Sequence, residues 1–333
     1  RTITSLPYDP FFYTRRKTNS NINIGHKQVP RVIGDLSSKK SICQNDLASF
    51  GYLYAPKEDK WHISEQAIDY LYLGKKSLDF EIPGRLRIIS DYKNGISDFS
   101  DLIIFNVSQI DFIPNNEITF LSCKDSDNIF ARLKLLPKCI IVLETDNECA
   151  YASLRQFFIK CMEQKIFNPI IIKRAYNTLS VDDTLIYAAT DIGALQIDGL
   201  GDGVWINTLH SNSFSNEISF GILQASRTRI SKTEYISCPS CGRTLFDLQE
   251  TTEKIRSKTD HLKGIKIGIM GCIVNGPGEM ADADYGYVGT GPGLISLYKG
   301  QNVVEKNINA ENAVAALIKL IQKHGDWQEP NNV

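Results

Sequence analysis

The residues with most chemistry to offer lie near the end of the chain. They read Cys238-Pro239-Ser240-Cys241 and, further on, Cys272-Ile273-Val274-Asn275-Gly276-Pro277-Gly278-Glu279. A Cys-x-x-Cys pair plus a distant third cysteine in a Gly/Pro-rich loop predicts a metal site with three thiolates. Thiolates select zinc, copper(I) and iron–sulfur clusters. Structural zinc is normally closed by four cysteines, or by three and a histidine. A matching fourth cysteine is missing. The available histidine, His261, falls 20 residues after Cys241 and 11 before Cys272, on a predicted helix. Zinc and iron–sulfur therefore both remain open on spacing alone. The glycine-permitted path of Asn275–Gly278 delivers Glu279 seven residues after Cys272. A carboxylate is a harder ligand than a thiolate, and on one iron of a [4Fe–4S] cluster it would yield to a substrate oxygen. Taken by itself, a glutamate is by default a surface acid. Three soft ligands and one replaceable position suit chemistry more than stapling.

The rest of the 333-residue sequence must position that loop. It has 42% apolar and 23% charged residues and a net charge of −1. Such a composition is that of a soluble globular protein and offers no global field for nucleic acid or an anionic membrane. No apolar run approaches the ~20 residues needed to cross a bilayer. The opening, Arg1-Thr2-Ile3-Thr4, is neither a signal peptide nor a start methionine and reads as a fragment or processed chain. Eight cysteines in this length do not make a disulfide scaffold. Cys149 and Cys161 share one predicted helix, ~18 Å apart, too far to bond. Cys43, Cys123 and Cys139 likewise read as ordinary thiols, the last two as small buried hydrophobes. A reducing, cytoplasmic or plastid-like compartment is expected.

Residues 1–34, rich in Asn, Arg, Pro and Tyr, read as a linker with at most one short strand. Across residues 35–225, apolar runs at 86–89, 102–105, 118–121, 139–143, 169–172 and 194–197 alternate with amphipathic stretches. Short and β-branched, they predict strands buried on both faces of a parallel sheet. One helix carries Ala150, Leu154, Phe157, Phe158 and Cys161 on a single face, and a second spans Val181–Ala189. The fold class is α/β, with a parallel, partial-barrel-like domain. Several connections look too short for eight full crossover helices, so a complete barrel is not expected. Residues 226–333 predict a small separate α/β domain. Its first helix has Thr244 as cap and Asp247 three residues on, with Leu245, Leu248, Ile255 and Leu262 as the apolar stripe. Strands follow at 265–269, 285–288, 294–298 and 303–306. A final helix runs from Asn309 through Leu317 and Ile321 to a stop at Gly325.

The cysteine motifs, with Gly242-Arg243 after the first and Met280-Ala-Asp-Ala-Asp284-Tyr-Gly-Tyr-Val-Gly289 after the second, closely resemble the 4-hydroxy-3-methylbut-2-enyl diphosphate synthase family. The resemblance covers at least residues 226–330. It implies a [4Fe–4S] cluster held by Cys238, Cys241, Cys272 and Glu279. It also implies reduction of 2-C-methyl-D-erythritol 2,4-cyclodiphosphate, with dehydroxylation and ring opening, to an isoprenoid precursor. Ferredoxin or flavodoxin would donate the electrons, and the full enzyme would be a homodimer. Glu279 would exchange for a substrate oxygen, and Asn275 would position the loop. Residues 1–225 are similar to the insertion domain of the family's large three-domain form, with Asp198-Gly-Leu-Gly-Asp-Gly203 in the joining segment. That domain is expected to act as a spacer or scaffold. The N-terminal barrel that binds the cyclic diphosphate would need roughly 250 residues more. The expectation is a C-terminal fragment that binds the cluster but does not turn over. A zinc-stabilised interaction module is the rival reading.

Other signals are weaker. Gly199–Gly203 lacks the spacing of a dinucleotide loop and reads as a strand-to-loop turn. Gly289–Gly293 reads as a turn between strands. Arg15-Arg16-Lys17 reads as a solvated basic run. Arg243 would either face the cluster's charge or pair with an acid. His210 and His324 have no evident catalytic partner.

Overall fold

The computed structural model describes residues 6–9, 11–93, 102–177, 180–238 and 242–329. The chain divides into two compact units, residues 1–229 and 230–333.

The strands of the first unit are β1 (Arg31–Asp35), β2 (Tyr52–Ala55), β3 (Lys60–Ile63), β4 (Tyr70–Gly74), β5 (Arg87–Asp91), β6 (Leu102–Asn106), β7 (Thr119–Lys124), β8 (Cys139–Glu144), β9 (Ile170–Tyr176) and β10 (Gly203–Thr208). β2 and β3 form a separate antiparallel hairpin. The other eight are parallel and close into a barrel, β1 pairing with both β4 and β10. Its helices are α1 (Phe130–Leu133), α2 (Ala150–Glu163), α3 (Val181–Ala188), α4 (Ala194–Ile197) and α5 (Asn212–Ala225). Ile171 points into the lumen with Ile33, Tyr70, Phe120, Val142 and Trp205. Its neighbours Ile170 and Ile172 join Leu154, Phe157 and Phe158 of α2 in the outer core. Each strand is thus apolar on both faces, which is why the sequence shows unbroken runs instead of alternation.

The α/β class and the parallel, barrel-like sheet are as expected, but the barrel is complete. Parallel strands need a crossover of about a dozen residues, not necessarily a full helix. The connections between β4 and β5, β6 and β7, and β7 and β8 are of about that length, and the only α-helix in them is the single turn α1. Residues 194–197, expected as a strand, are helical. Leu200 N–H returns to Leu195 C=O and Gly199 N–H to Gln196 C=O, closing the helix at Gly199 with φ +75°. The 199–203 segment is therefore a helix-to-strand turn. Its Asp202 is buried and takes the N–H of Ile170.

The opening residues belong to the barrel unit. β1 is a barrel strand, and Ile24 is fully buried among the lumen side chains. Arg16, expected in solvent, is 5% exposed and donates to the carbonyls of Ile166 and Asn168. Arg15 pairs with Asp202 at 3.0 Å.

The second unit contains β11 (Glu234–Ser237), α6 (Leu248–Thr259), β12 (Lys266–Met270), α7 (Gly276–Glu279), β13 (Tyr285–Gly291), β14 (Leu294–Lys299), β15 (Asn302–Asn309) and α8 (Ala310–Lys323). The sheet order is β11-β12-β13-β14-β15, with the first three strands parallel and the last three antiparallel. Ile267, Ile269, Tyr285 and Tyr287 pack on α8 through Leu317 and Ile321. The opposite face gathers Met270, Met280, Val288 and Tyr298. α6 starts later than expected. Asp247, not Thr244, is its N-cap and accepts the Glu250 N–H at 2.8 Å.

Candidate metal centre

Cys238 and Cys272 follow the C-terminal ends of adjacent parallel strands, β11 and β12, whose last pair is Ser237 and Ile269. Such strands lie about 4.8 Å apart, so the topology carries both thiols to one sheet edge. Both are free and half-buried. Gly271 joins the two segments. Its N–H donates to Cys238 Sγ at 3.3 Å, and its C=O accepts from Leu245 N at 3.1 Å. An N–H aimed at sulfur is the kind of supporting contact that suits an anionic thiolate ligand.

Close approach explains why glycine stands at 271 and 289. A Cβ on Gly271 would lie 2.8 Å from Thr244 Cγ2, and one on Gly289 would lie 2.5 Å from the Gly271 carbonyl oxygen. The strand β13 therefore presses directly on the backbone that connects the cysteines.

Glu279 ends the one-turn helix α7 and is exposed, as is Asn275, whose carbonyl accepts the Gly278 and Glu279 N–H groups at 3.0 Å. The turn is anchored by the next residue. Met280 is 1% exposed. A Cβ on Gly268 or Gly286 would come within 2.6 or 2.5 Å of its side chain. Two side-chain-free positions on neighbouring strands thus make the seat for Met280, and the carboxylate beside it projects from a fixed base. Burying a methionine contributes on the order of 2 kcal/mol.

Cys241, the fourth expected ligand, lies outside the described residues. Among the described residues no three His, Cys, Asp or Glu side chains converge as a metal set. What is present fits a thiolate-seeking group: two thiols from neighbouring strand ends, a supporting N–H and an exposed carboxylate on an anchored turn. His261 fits less well. It follows the end of α6, its Nε2 meets the Gln328 carbonyl at 2.8 Å, and its ring packs edge-on against Trp327. Arg243 is exposed. A groove of about 1270 Å³ runs beside Cys238, lined by Thr244, Phe246, Asp247, Thr252 and Arg256.

The other thiols are built differently. Burial raises Cys139 to about 12 and Cys161 to about 11, and pushes Cys123 well up too. They are packing residues. Gly271, Gly268, Gly286 and Met280 were not singled out from sequence for the site, although glycine inside strand patterns signals close backbone approach.

Residues 234–323 match the family described as the GcpE protein C-terminal domain. The chain is 40% identical over 326 residues to a protein of Parabacteroides distasonis named 4-hydroxy-3-methylbut-2-en-1-yl diphosphate synthase (flavodoxin), covering 96% of this chain and 50% of the relative. A protein of the same name from Protochlamydia amoebophila is 49% identical over 201 residues, covering 60% of this chain and 30% of the relative. One from Leptospira interrogans is 52% identical over 166 residues, covering 49% and 25%. The chain spans about half the length of the Parabacteroides distasonis relative. Residues 234–323 are thus similar to the GcpE protein C-terminal domain, and nearly the whole chain is similar to proteins named 4-hydroxy-3-methylbut-2-en-1-yl diphosphate synthase (flavodoxin).

Proposed function

We propose that residues 230–333 hold a [4Fe–4S] cluster through Cys238, Cys241, Cys272 and Glu279. In this reading they form the redox half of an enzyme that reduces 2-C-methyl-D-erythritol 2,4-cyclodiphosphate to 4-hydroxy-3-methylbut-2-enyl diphosphate. The observation that carries the reading is the pair of free thiols on adjacent strand ends, tied together by Gly271 and followed by Glu279 on its one-turn helix. When bound, the cluster would supply single electrons and a Lewis-acidic iron. Cys238 and Cys272 would be its fixed ligands, since sheet hydrogen bonds and β13 hold their backbones. Glu279 would be the replaceable one, because only its backbone is anchored, through Met280, while its carboxylate is exposed. Asn275 would set the loop through its carbonyl and offer its side chain toward a bound substrate.

Relatives named for flavodoxin make that protein, or a ferredoxin, the electron donor of this proposal. The groove beside Cys238 is one route of approach. The diphosphate would be gripped by residues outside these 333, in a homodimeric full enzyme, and the barrel of residues 1–229 would serve catalysis as a scaffold. On this account the chain binds a cluster without turnover. Cytoplasmic localisation belongs to the same proposal. No helix among the described residues is long and apolar enough to cross a membrane.

Anaerobic reconstitution with iron and sulfide tests the reading. A brown, reducible species that is lost in Cys272→Ser supports it. A colourless protein holding one zinc supports the zinc-stabilised module instead. Full turnover by the chain alone would overturn the dependence on residues outside it.

A further inference from the structure

The segment that carries the first cysteine motif begins and ends on the same short piece of backbone. At its start Cys238 N–H donates to Ile269 C=O at 3.3 Å, and Gly271 N–H donates to Cys238 Sγ at 3.3 Å. At its end Leu245 N–H donates to Gly271 C=O at 3.1 Å. Gly271 is also the residue before Cys272. One of its peptide units therefore carries the N–H that meets Cys238 Sγ. The other carries the C=O that meets Leu245 together with the N–H of Cys272.

Gly271 does not fix these two units by itself. Without a Cβ it admits Thr244, whose Cγ2 and Oγ1 stand 2.8 and 2.9 Å from where that Cβ would be. The same lack leaves its backbone freer to turn than that of other residues. Its orientation must come from outside, and Phe246 is placed to supply it. Phe246 follows Leu245 directly and is half-buried. Its ring stands edge-to-face with that of Tyr287 on β13, with centroids 5.5 Å apart and planes at 81°. Tyr287 is 2% exposed and belongs to the core shared with α8. A ring carbon of Phe246 lies 3.2 Å from where a Cβ on Gly289 would be, and the Gly271 carbonyl oxygen lies 2.5 Å from the same point. Phe246 and Gly271 thus rest on one bare stretch of β13. The next residue, Asp247, caps α6, so the ring is the anchor between the loop and the helix.

We propose that Phe246 is a positioning residue for the metal-ligating thiols. Seated on β13, it holds Leu245 and, through Leu245, the Gly271 carbonyl. That keeps the Gly271 N–H on Cys238 Sγ and sets the entry of the chain into Cys272. Hydrogen bonds to ligand sulfurs are among the quantities that set the potential of an iron–sulfur centre. The inference deepens the cluster reading and rests on it for the group that is bound; the anchoring of the loop stands without it.

The test compares Phe246→Leu, which keeps apolar bulk without the ring, with Phe246→Tyr, which keeps the ring, in the whole chain. In the metal-free protein, hydrogen exchange is followed in peptides covering residues 242–248, 268–275 and, as reference, 310–323. After anaerobic reconstitution, the midpoint potential and the rate of iron loss to a chelator are measured. An edge-to-face pair changes a local equilibrium by roughly two- to ten-fold. Phe246→Leu is expected to speed exchange in the first two peptides, and iron loss, by about that factor. It should also lower the potential and leave 310–323 as in the wild type, and Phe246→Tyr should restore all of these. Wild-type exchange at 242–248 and 268–275 in Phe246→Leu overturns the proposal. Exchange that rises equally at 310–323 overturns it too, since Phe246 would then be an ordinary core residue, as does a Phe246→Tyr chain that behaves like Phe246→Leu. A protein that takes up zinc and no sulfide refutes the cluster reading alone, and the exchange comparison then decides the role of Phe246.

Discussion

Two glycines close to the candidate ligands should answer differently to the same added methyl group. At Gly289 the new Cβ would sit 2.5 Å from the carbonyl oxygen of Gly271, and 3.2 Å from both the Gly271 carbonyl carbon and a ring carbon of Phe246. The obstacle is backbone, so relief requires β13 and the Gly271 segment to separate. Overpacking of this kind costs about 1–3 kcal/mol. In a unit of about 100 residues each kcal/mol lowers the melting temperature by roughly 4–8 °C. The displaced backbone is also the one whose N–H meets Cys238 Sγ and which immediately precedes Cys272. Gly289→Ala should therefore lose iron as well as stability. At Gly278, next to Glu279, a Cβ meets nothing within 4 Å. Gly278→Ala should keep both, and within a helical turn should gain a few tenths of a kcal/mol. The assays are hydrogen exchange across residues 266–291 and iron per chain after anaerobic reconstitution. Wild-type exchange and iron content in Gly289→Ala would refute the reasoning. So would equal damage from Gly278→Ala.

Further outcomes follow from the same contacts. Met280→Ala should cost about 2–5 kcal/mol in the second unit by emptying the seat over Gly268 and Gly286; a thermal shift of only a degree or two would count against that anchor. Cys43 and Cys149 are exposed and should label with a thiol reagent at pH 8, whereas Cys123, Cys139 and Cys161 should label only on unfolding; rapid native-state labelling of Cys161 would contradict its packing role. Because burial raises Cys139 to about 12 and Cys161 to about 11, their protonated forms favour the fold. That contribution is complete below the ordinary thiol value of ~8.5 and is lost as pH rises from there toward 11–12. Denaturant melts of the first unit should weaken over that range, and Cys161→Ala should flatten the slope. Asp326 is held below the usual carboxylate range by the Tyr285 hydroxyl and Lys299, so its support is present at neutral pH and fades as pH falls through its folded value. Asp326→Asn should remove that acid dependence from the melting curve.

The second unit was the more legible in sequence. Its last helix has an asparagine cap and a glycine stop, and α8, β12 and β14 stand within a residue of their expected places, whereas β13 and β15 each run three residues past theirs, β13 into the expected 289–293 turn, β11 was not expected, and α6 starts later. The barrel was harder. Its strand β1 carries a glycine in the middle, and the apolar runs of β4 and β10, Tyr70–Leu73 and Val204–Ile206, are not among those read as strands. Closure depends on pairings such as Ile33 with Tyr70 and Val32 with Val204, which no local pattern encodes. Residues 194–197 have the apolar look of a strand, yet they are the last turn of a helix that closes at Gly199. Arg16 looked solvated because its partners, the carbonyls of Ile166 and Asn168, lie about 150 residues away. At the candidate site the cysteines and the glutamate stand out from residue chemistry alone. The glycine seat under Met280 was not, because it needs two strands and a turn to exist at once.

The central claim is tested most directly by the iron and sulfide content of the anaerobically reconstituted chain and of its Cys238→Ser, Cys241→Ser, Cys272→Ser and Glu279→Ala variants. The account predicts about four irons and four sulfides per chain, nearly abolished in each cysteine variant. In Glu279→Ala most of the iron should remain, with an altered spectrum. One zinc per chain with no sulfide, or iron content indifferent to all three cysteines, would contradict it.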